Sequence, residues 1–100
     1  MKYFFEFKEE ARKDIIETAA WYRDKRTDLD KIFLLAIEKA ISRIKNNPAA
    51  GRKIYKAFRE ISLKKFPYVI IYEIIFNTIV IYQVFNTWQN PKKKIKRLKK

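Results

Sequence analysis

Tyr68-Val69-Ile70-Ile71-Tyr72-Glu73-Ile74-Ile75-Phe76 is followed, across Asn77-Thr78, by Ile79-Val80-Ile81-Tyr82-Gln83-Val84-Phe85-Asn86-Thr87. Both runs are rich in β-branched and aromatic residues and are too short for core helices. With a two-residue turn between them they read as an antiparallel hairpin. Glu73 and Gln83 mark one face, which on strict alternation also carries Val69, Ile71, Ile75, Ile79, Ile81 and Phe85. The opposite face then holds Ile70, Tyr72, Ile74, Val80, Tyr82 and Val84. Both faces are apolar, which is more than a one-sided sheet needs. One face is expected to pack on helices. The other must meet a partner, or be covered by a terminal segment of the same chain.

Upstream, Phe58 to Lys65 alternates, with Ile61 and Leu63 opposite Glu60, Ser62 and Lys64, and reads as a further strand that Pro67 separates from the hairpin. Ala49-Ala50-Gly51-Arg52-Lys53 reads as a turn. Before it, Leu29, Ile32, Phe33, Ala36, Ile37, Ala40, Ile41 and Ile44 mark a broad helical stripe that Asn46-Asn47-Pro48 ends. Thr27 with Asp30 resembles a helix cap. Ala11, Ile15, Ala19 and Tyr22, widened by Ile16 and Ala20, predict an earlier helix over about residues 9–25, with Glu9 and Glu10 at its positive end. Tyr3 to Phe7 reads as a first strand. The expectation is an α+β fold: an N-terminal strand, an antiparallel two-helix hairpin, then a three-strand antiparallel meander forming one sheet packed on the helices.

The composition narrows the chemistry. The chain has 100 residues, 48% of them apolar, enough for one domain with a real core. It contains neither Cys nor His, which excludes a disulfide scaffold, a thiol nucleophile and His-assisted catalysis. Cysteine zinc sites and most other transition-metal sites go with them. No cofactor or metal site is expected. No run is long and apolar enough to span a membrane, and the start has too short an apolar run for a secretory signal. The expected location is the cytoplasm.

Charge is uneven. The formal net charge is +13. Residues 1–50 hold eleven basic and nine acidic residues, whereas residues 51–100 hold thirteen and two. The last ten residues contribute Lys92, Lys93, Lys94, Lys96, Arg97, Lys99 and Lys100. The sequence therefore divides into a domain over 1–91 and a basic tail over 92–100. The tail reads either as a solvated end or as an arm for a polyanion or acidic partner.

Several landmarks now stand in order: a second helix ending in Asn47-Pro48, then Gly51-Arg52, then Leu63-Lys64-Lys65-Phe66-Pro67-Tyr68-Val69-Ile70-Ile71-Tyr72, and a last strand ending Ile81-Tyr82-Gln83-Val84-Phe85-Asn86. Over about residues 3–92 this set resembles the RelE/ParE superfamily of toxins from bacterial type II toxin–antitoxin pairs. The resemblance implies a small basic toxin held inactive, as a hetero-oligomer, by a cognate antitoxin whose C-terminal segment wraps it. Val69, Ile71, Ile75, Ile81 and Phe85 are the expected antitoxin surface. The RelE-like branch cuts mRNA on the ribosome; the ParE-like branch inhibits DNA gyrase without known catalysis.

Where RelE-like ribonucleases carry an Arg just inside the third strand, this chain has Val69, and after the last strand it has Thr87 and Trp88. The ParE-like ending, usually His-x-x-Arg-like, is replaced by Asn86-Thr87-Trp88-Gln89. The missing residues weigh more against a nuclease, which needs a base, a phosphate-binding cation and an acid, so the ParE-like branch is favoured. Arg52, Lys56, Arg59 and Lys64 remain the candidate catalytic cations, with Glu60 as a base. Lys53, Lys65, Trp88, Gln89, Lys92, Lys93 and Lys94 are candidate contacts to a target or nucleic acid. A basic nucleic-acid-binding module is the other alternative.

Overall fold

The computed structural model describes residues 2–99; Met1, in the expected domain, and Lys100, in the expected tail, lie outside them. β1 (Phe4–Phe7) leads into α1 (Glu9–Lys25) and α2 (Leu29–Asn46), and a single 3-10 turn (Pro48–Ala50) follows. Then come β2 (Arg52–Tyr55), β3 (Phe58–Ser62), β4 (Tyr68–Ile75), β5 (Thr78–Asn86) and a third helix, α3 (Pro91–Leu98). The strands form one sheet in the order β1-β5-β4-β3-β2. β1 runs parallel to β5, and the other neighbours are antiparallel. The expected α+β order holds, with two additions: β2 extends the meander to four strands, and α3 follows it.

The helix hairpin covers one face. Ala11, Tyr22, Phe33, Ile37, Ala40 and Ile44 pack on Ile61, Leu63, Ile70, Tyr72, Ile79, Ile81 and Val84. At one end Tyr22, Phe33, Phe66 and Tyr68 form an aromatic cluster, with Phe66 5.0 Å from Tyr22 and 5.4 Å from Phe33, both edge-on. Ile16 does not join the α1 stripe and is 69% exposed. The expected Thr27–Asp30 cap does not form: Asp28, in the left-handed region at φ 68°, starts α2 without a side-chain cap bond. The β4–β5 loop is Phe76-Asn77, one residue earlier than expected, because Ile75 pairs with Thr78. Phe76 takes φ 54° there.

Strict alternation fails along β5. Ile71 pairs with Gln83 but Tyr72 pairs with Ile81, so Tyr82 is the extra residue of a β-bulge. One inserted residue flips everything on one side of it. Ile79 and Ile81, expected with Gln83, therefore face the helices, while Val80 and Tyr82 share the other face. The Tyr82 ring meets Phe58 edge-on at 4.9 Å, and its hydroxyl donates to Glu73 Oε1 at 2.9 Å.

Gly51 and Tyr72 lock the 3-10 turn to the sheet. The Tyr72 hydroxyl accepts from Gly51 N at 2.8 Å and donates to the Pro48 carbonyl at 2.7 Å. A Cβ on Gly51 would lie 2.5 Å from that oxygen and 2.8 Å from the Glu60 carbonyl, so only glycine fits. Replacing Tyr72 with Phe keeps the packing but strands a buried N–H and a carbonyl. Tyr72→Phe is expected to lower the unfolding free energy by about 1–3 kcal/mol. Gly51→Ala is expected to cost at least as much. Urea denaturation checks both.

Candidate functional site

The second sheet face is not open. Val69, Ile71 and Phe85 form a small core with Ile54, Phe58 and Leu98, and Leu98 belongs to α3. The eight residues of α3 contain only Ile95 and Leu98 as apolar side chains beside five cations, and a helix so short is unstable alone. Its own sequence starts it: Pro91 opens the first turn, and Asn90 caps it by accepting from Lys92 N at 2.9 Å. Ion pairs then hold it down. Lys94 Nζ lies 2.6 Å from Glu60 Oε1, with both side chains nearly buried. Arg52 reaches the other oxygen of the same carboxylate at 2.9 Å. Arg97 bridges Glu10 and Asp14 of α1, each at 2.9 Å. Gln83 donates to the Lys94 carbonyl at 3.1 Å. Among the described residues, Gln83 Oε1 is the buried side-chain acceptor without a partner.

Burial alone would raise the Glu60 carboxyl. Its hydrogen bonds from Lys94 and Arg52, and their charges, outweigh that and hold it below the ordinary carboxylate range. At Asp14 the balance tips the other way. Burial raises its carboxyl despite the Val84 N–H at 3.0 Å and the Arg97 guanidinium. Burial, then the hydrogen bond to Glu73, pushes the Tyr82 phenol up to about 12. Burial also raises Tyr72, so both phenols stay protonated at neutral pH.

The candidate cations are dispersed. Arg52 is held by Glu60, on the α3 side of the sheet. Arg59 points to the helix side, where its guanidinium donates to the Gly51 carbonyl at 2.7 Å and the Ala49 carbonyl at 3.3 Å. Lys56 sits on the β2–β3 turn at φ 50°, over the Tyr55 ring. Lys64 lies at the far end of β3, beside α2. Lys53 is exposed on β2. Of the expected antitoxin surface, Ile75 is 42% exposed, but Val69, Ile71 and Phe85 are at most 3% exposed beneath α3. Ile81 is wholly buried in the helix-side core because of the bulge. Trp88, Gln89, Lys92 and Lys93 are exposed, whereas Lys94 is tied to Glu60.

One accessible apolar surface lies on α2; exposed Phe76, Trp21 and Trp88 lie elsewhere. Ile32, Leu35, Ala36, Lys39 and Arg43 recur at helical spacing on a flank that turns away from the core stripe. They face Lys64, Lys65 and Phe66 across a hollow of about 280 Å³. Ile32 and Leu35 are 42% and 49% exposed. Arg43 Nη2 donates to the Ser62 carbonyl, which fixes the groove wall to the end of β3. Lys65, at φ 69°, turns the loop that carries Phe66. The lining holds four cations and no carboxylate. Sequence reading missed this groove because it assigned Ile32 and Ala36 to the core face. The signal was present: α2 has more apolar positions than one face can bury.

Comparison with known proteins agrees with this architecture. The profile of the family described as ParE toxin of type II toxin-antitoxin system, parDE, matches residues 5–91. The chain is similar to Toxin ParE2 of two Mycobacterium tuberculosis strains, 29% identical over 79 residues, which cover 78% of this chain and 75% of the relative. The fold is like that of a chain of the chromosomal ParDE TA system from P. aeruginosa. There the TM-score is 0.64 and identity 16%, with 85% of this chain and 96% of that one covered. It is also like the isolated E. coli RelE toxin, with TM-score 0.57, 17% identity, and 96% and 98% covered.

Glu60 gives the latch on α3 a pH dependence of definite sign. A carboxyl held below its unfolded value adds stability above the unfolded pKa and loses it as pH falls through the folded one. Glu60 should therefore make α3 docking weaken as pH falls below the ordinary glutamate range, near 4. Glu60→Gln leaves Lys94 buried without its counter-charge. It is expected to cost about 3 kcal/mol at pH 7 and to flatten that acid dependence. Hydrogen exchange of the α3 amides between pH 3 and 7, referred to the ordinary acid dependence of exchange, measures both.

Proposed function

The chain belongs to the ParE toxin family of type II toxin–antitoxin systems, and from that premise we propose that it arrests growth by binding an essential cytoplasmic target, and that a cognate antitoxin neutralises it. The target is of the gyrase type implied by resemblance to the ParE-like branch. One observation carries the choice of binding over cleavage: the cations that a ribonuclease would need are spent or scattered. Arg52 neutralises Glu60, Arg59 serves backbone carbonyls, and Lys56 and Lys64 stand at different corners. No pair of them converges with a base on one reacting atom.

The antitoxin segment docks in the groove of α2. Exposed Ile32 and Leu35 supply apolar anchors, and Lys39, Arg43, Lys64 and Lys65 supply the rim. That pattern fits an amphipathic segment with acidic residues beside its apolar stripe, laid in as a helix. The sheet face expected from sequence becomes available to a partner only if α3 leaves it.

Induced expression should stop growth, and co-expression of the antitoxin encoded beside the gene should restore it. Leu35→Asp with Lys39→Glu should preserve growth arrest but weaken antitoxin binding by about 30-fold or more, so rescue fails. Purified protein should inhibit gyrase supercoiling, and mapped mRNA 5′ ends should not change. New codon-linked mRNA ends with unimpaired gyrase would reject the binding mechanism in favour of a RelE-like ribonuclease.

A further inference from the structure

Both tryptophans of the chain are exposed, Trp21 by 52% and Trp88 by 81%, and neither is used by the groove of α2. They line one hollow of about 480 Å³, together with Tyr22, Tyr68, Pro67 and Asn86. Trp21 leans edge-on against Tyr22 at 5.0 Å, and Lys25 Nζ lies 4.9 Å from its ring centroid. Trp88 is placed by its own backbone, whose N–H donates to Asn86 Oδ1 at 2.8 Å. That bond orients the Asn86 amide with its NH2 group available to donate.

The hollow is one end of a longer groove. Thr18, Tyr68 and Asn86 also line a polar waist of about 170 Å³. Phe85, Gln89 and Arg97 line both that waist and a third hollow of about 370 Å³, where Lys93 and Lys96 of α3 stand exposed. Aromatic platforms therefore lie at one end, amide and hydroxyl groups in the middle, and a cationic helix face at the other. Flat π-surfaces beside a positive track are what a sequence-tolerant single strand requires: its bases stack while its phosphates follow the cations.

We propose that this groove binds single-stranded nucleic acid, with bases stacked on Trp88 and Trp21 and the phosphate backbone running over Lys93 and Lys96. The site does not depend on the toxin reading, because its residues lie outside the groove assigned to the antitoxin. Two carboxylates line the waist. Asp14 is paired with Arg97 at 2.9 Å, a guanidinium that it shares with Glu10. Glu17 is exposed and lines the tryptophan hollow as well as the waist; it repels phosphate, so the backbone crosses on the α3 side and the bases point toward α1.

The chain reports on this site directly, since both of its tryptophans are in it. The probe is an oligo(dT) of about eight nucleotides titrated into the full chain. Trp emission should quench, and the oligomer should bind tighter than a duplex of equal length or heparin, a polyanion without bases. Trp88→Ala should weaken oligo(dT) binding about tenfold, and Trp88→Phe should restore most of it. With Trp88 81% exposed, folding is not at stake, and far-UV circular dichroism verifies that. Lys93→Glu with Lys96→Glu should lower both affinity and the salt slope, while Glu17→Gln should tighten binding ~3-fold. Duplex or heparin binding equal to the single strand without quenching would overturn the proposal, as would Trp88→Ala binding like the parent. Quenching by a proline-rich peptide but not by oligo(dT) would overturn it in favour of a peptide groove.

Discussion

β4 and β5 carry large apolar side chains on both faces, so the sheet has to be covered twice. The helix hairpin covers Ile70, Tyr72, Ile79, Ile81 and Val84. Leaving Val69, Ile71 and Phe85 bare would cost roughly 1.5–3 kcal/mol for each large side chain kept in water. The chain supplies the second cover from its most unfavourable segment. α3 is a run of like charges that repels itself, and it stays helical because the carboxylates beneath it are placed to meet it: Glu60 from β3, and Glu10 and Asp14 from α1. The excess charge of the C-terminal half is thereby partly balanced within the fold.

The bulge at Tyr82 makes this two-sided arrangement possible. Without the inserted residue, Ile79 and Ile81 would share a face with Gln83 and Phe85, and the helix-side core would lose two of its fully buried isoleucines. With it, β5 turns Ile79, Ile81 and Val84 inward while Gln83 and Phe85 face α3. Gln83 is then positioned to hold the Lys94 carbonyl. A single backbone irregularity thus decides which side chains are core and which are cover.

The strands and helices with strong periodicity were legible. α1, α2, β3, β4 and β5 stand close to where alternation and helical spacing placed them, and Gly51, Pro48 and Pro67 punctuate as their chemistry requires. Three things were not. The bulge leaves no mark because the one polar position inside the run, Gln83, sets the phase of period 2 only on its own side of Tyr82. β2 is four residues, two of them charged, and it exists because β3 offers an edge. α3 contradicts the usual reading of a basic block, since its order comes from partners distant in sequence: Glu60, Glu10 and Asp14 are invisible to any local window. The candidate site followed the same division. The burial of the face expected to meet an antitoxin depends on the bulge and α3, which local sequence does not reveal.

This arrangement gives α3 two opposed roles. Its inner side, through Lys94 and Leu98, seals the sheet; its outer side, through Lys93 and Lys96, faces solvent at the end of the aromatic groove. Both roles draw on the same positive charge. The exposed lysines are screened over a Debye length of about 8 Å at physiological salt, whereas the nearly buried Lys94–Glu60 pair is screened far less. Salt therefore weakens the outer face of α3 long before it loosens the inner one. In the proposed binding, the helix is already fixed in place, so its ordering cost has been met by folding rather than being charged against binding.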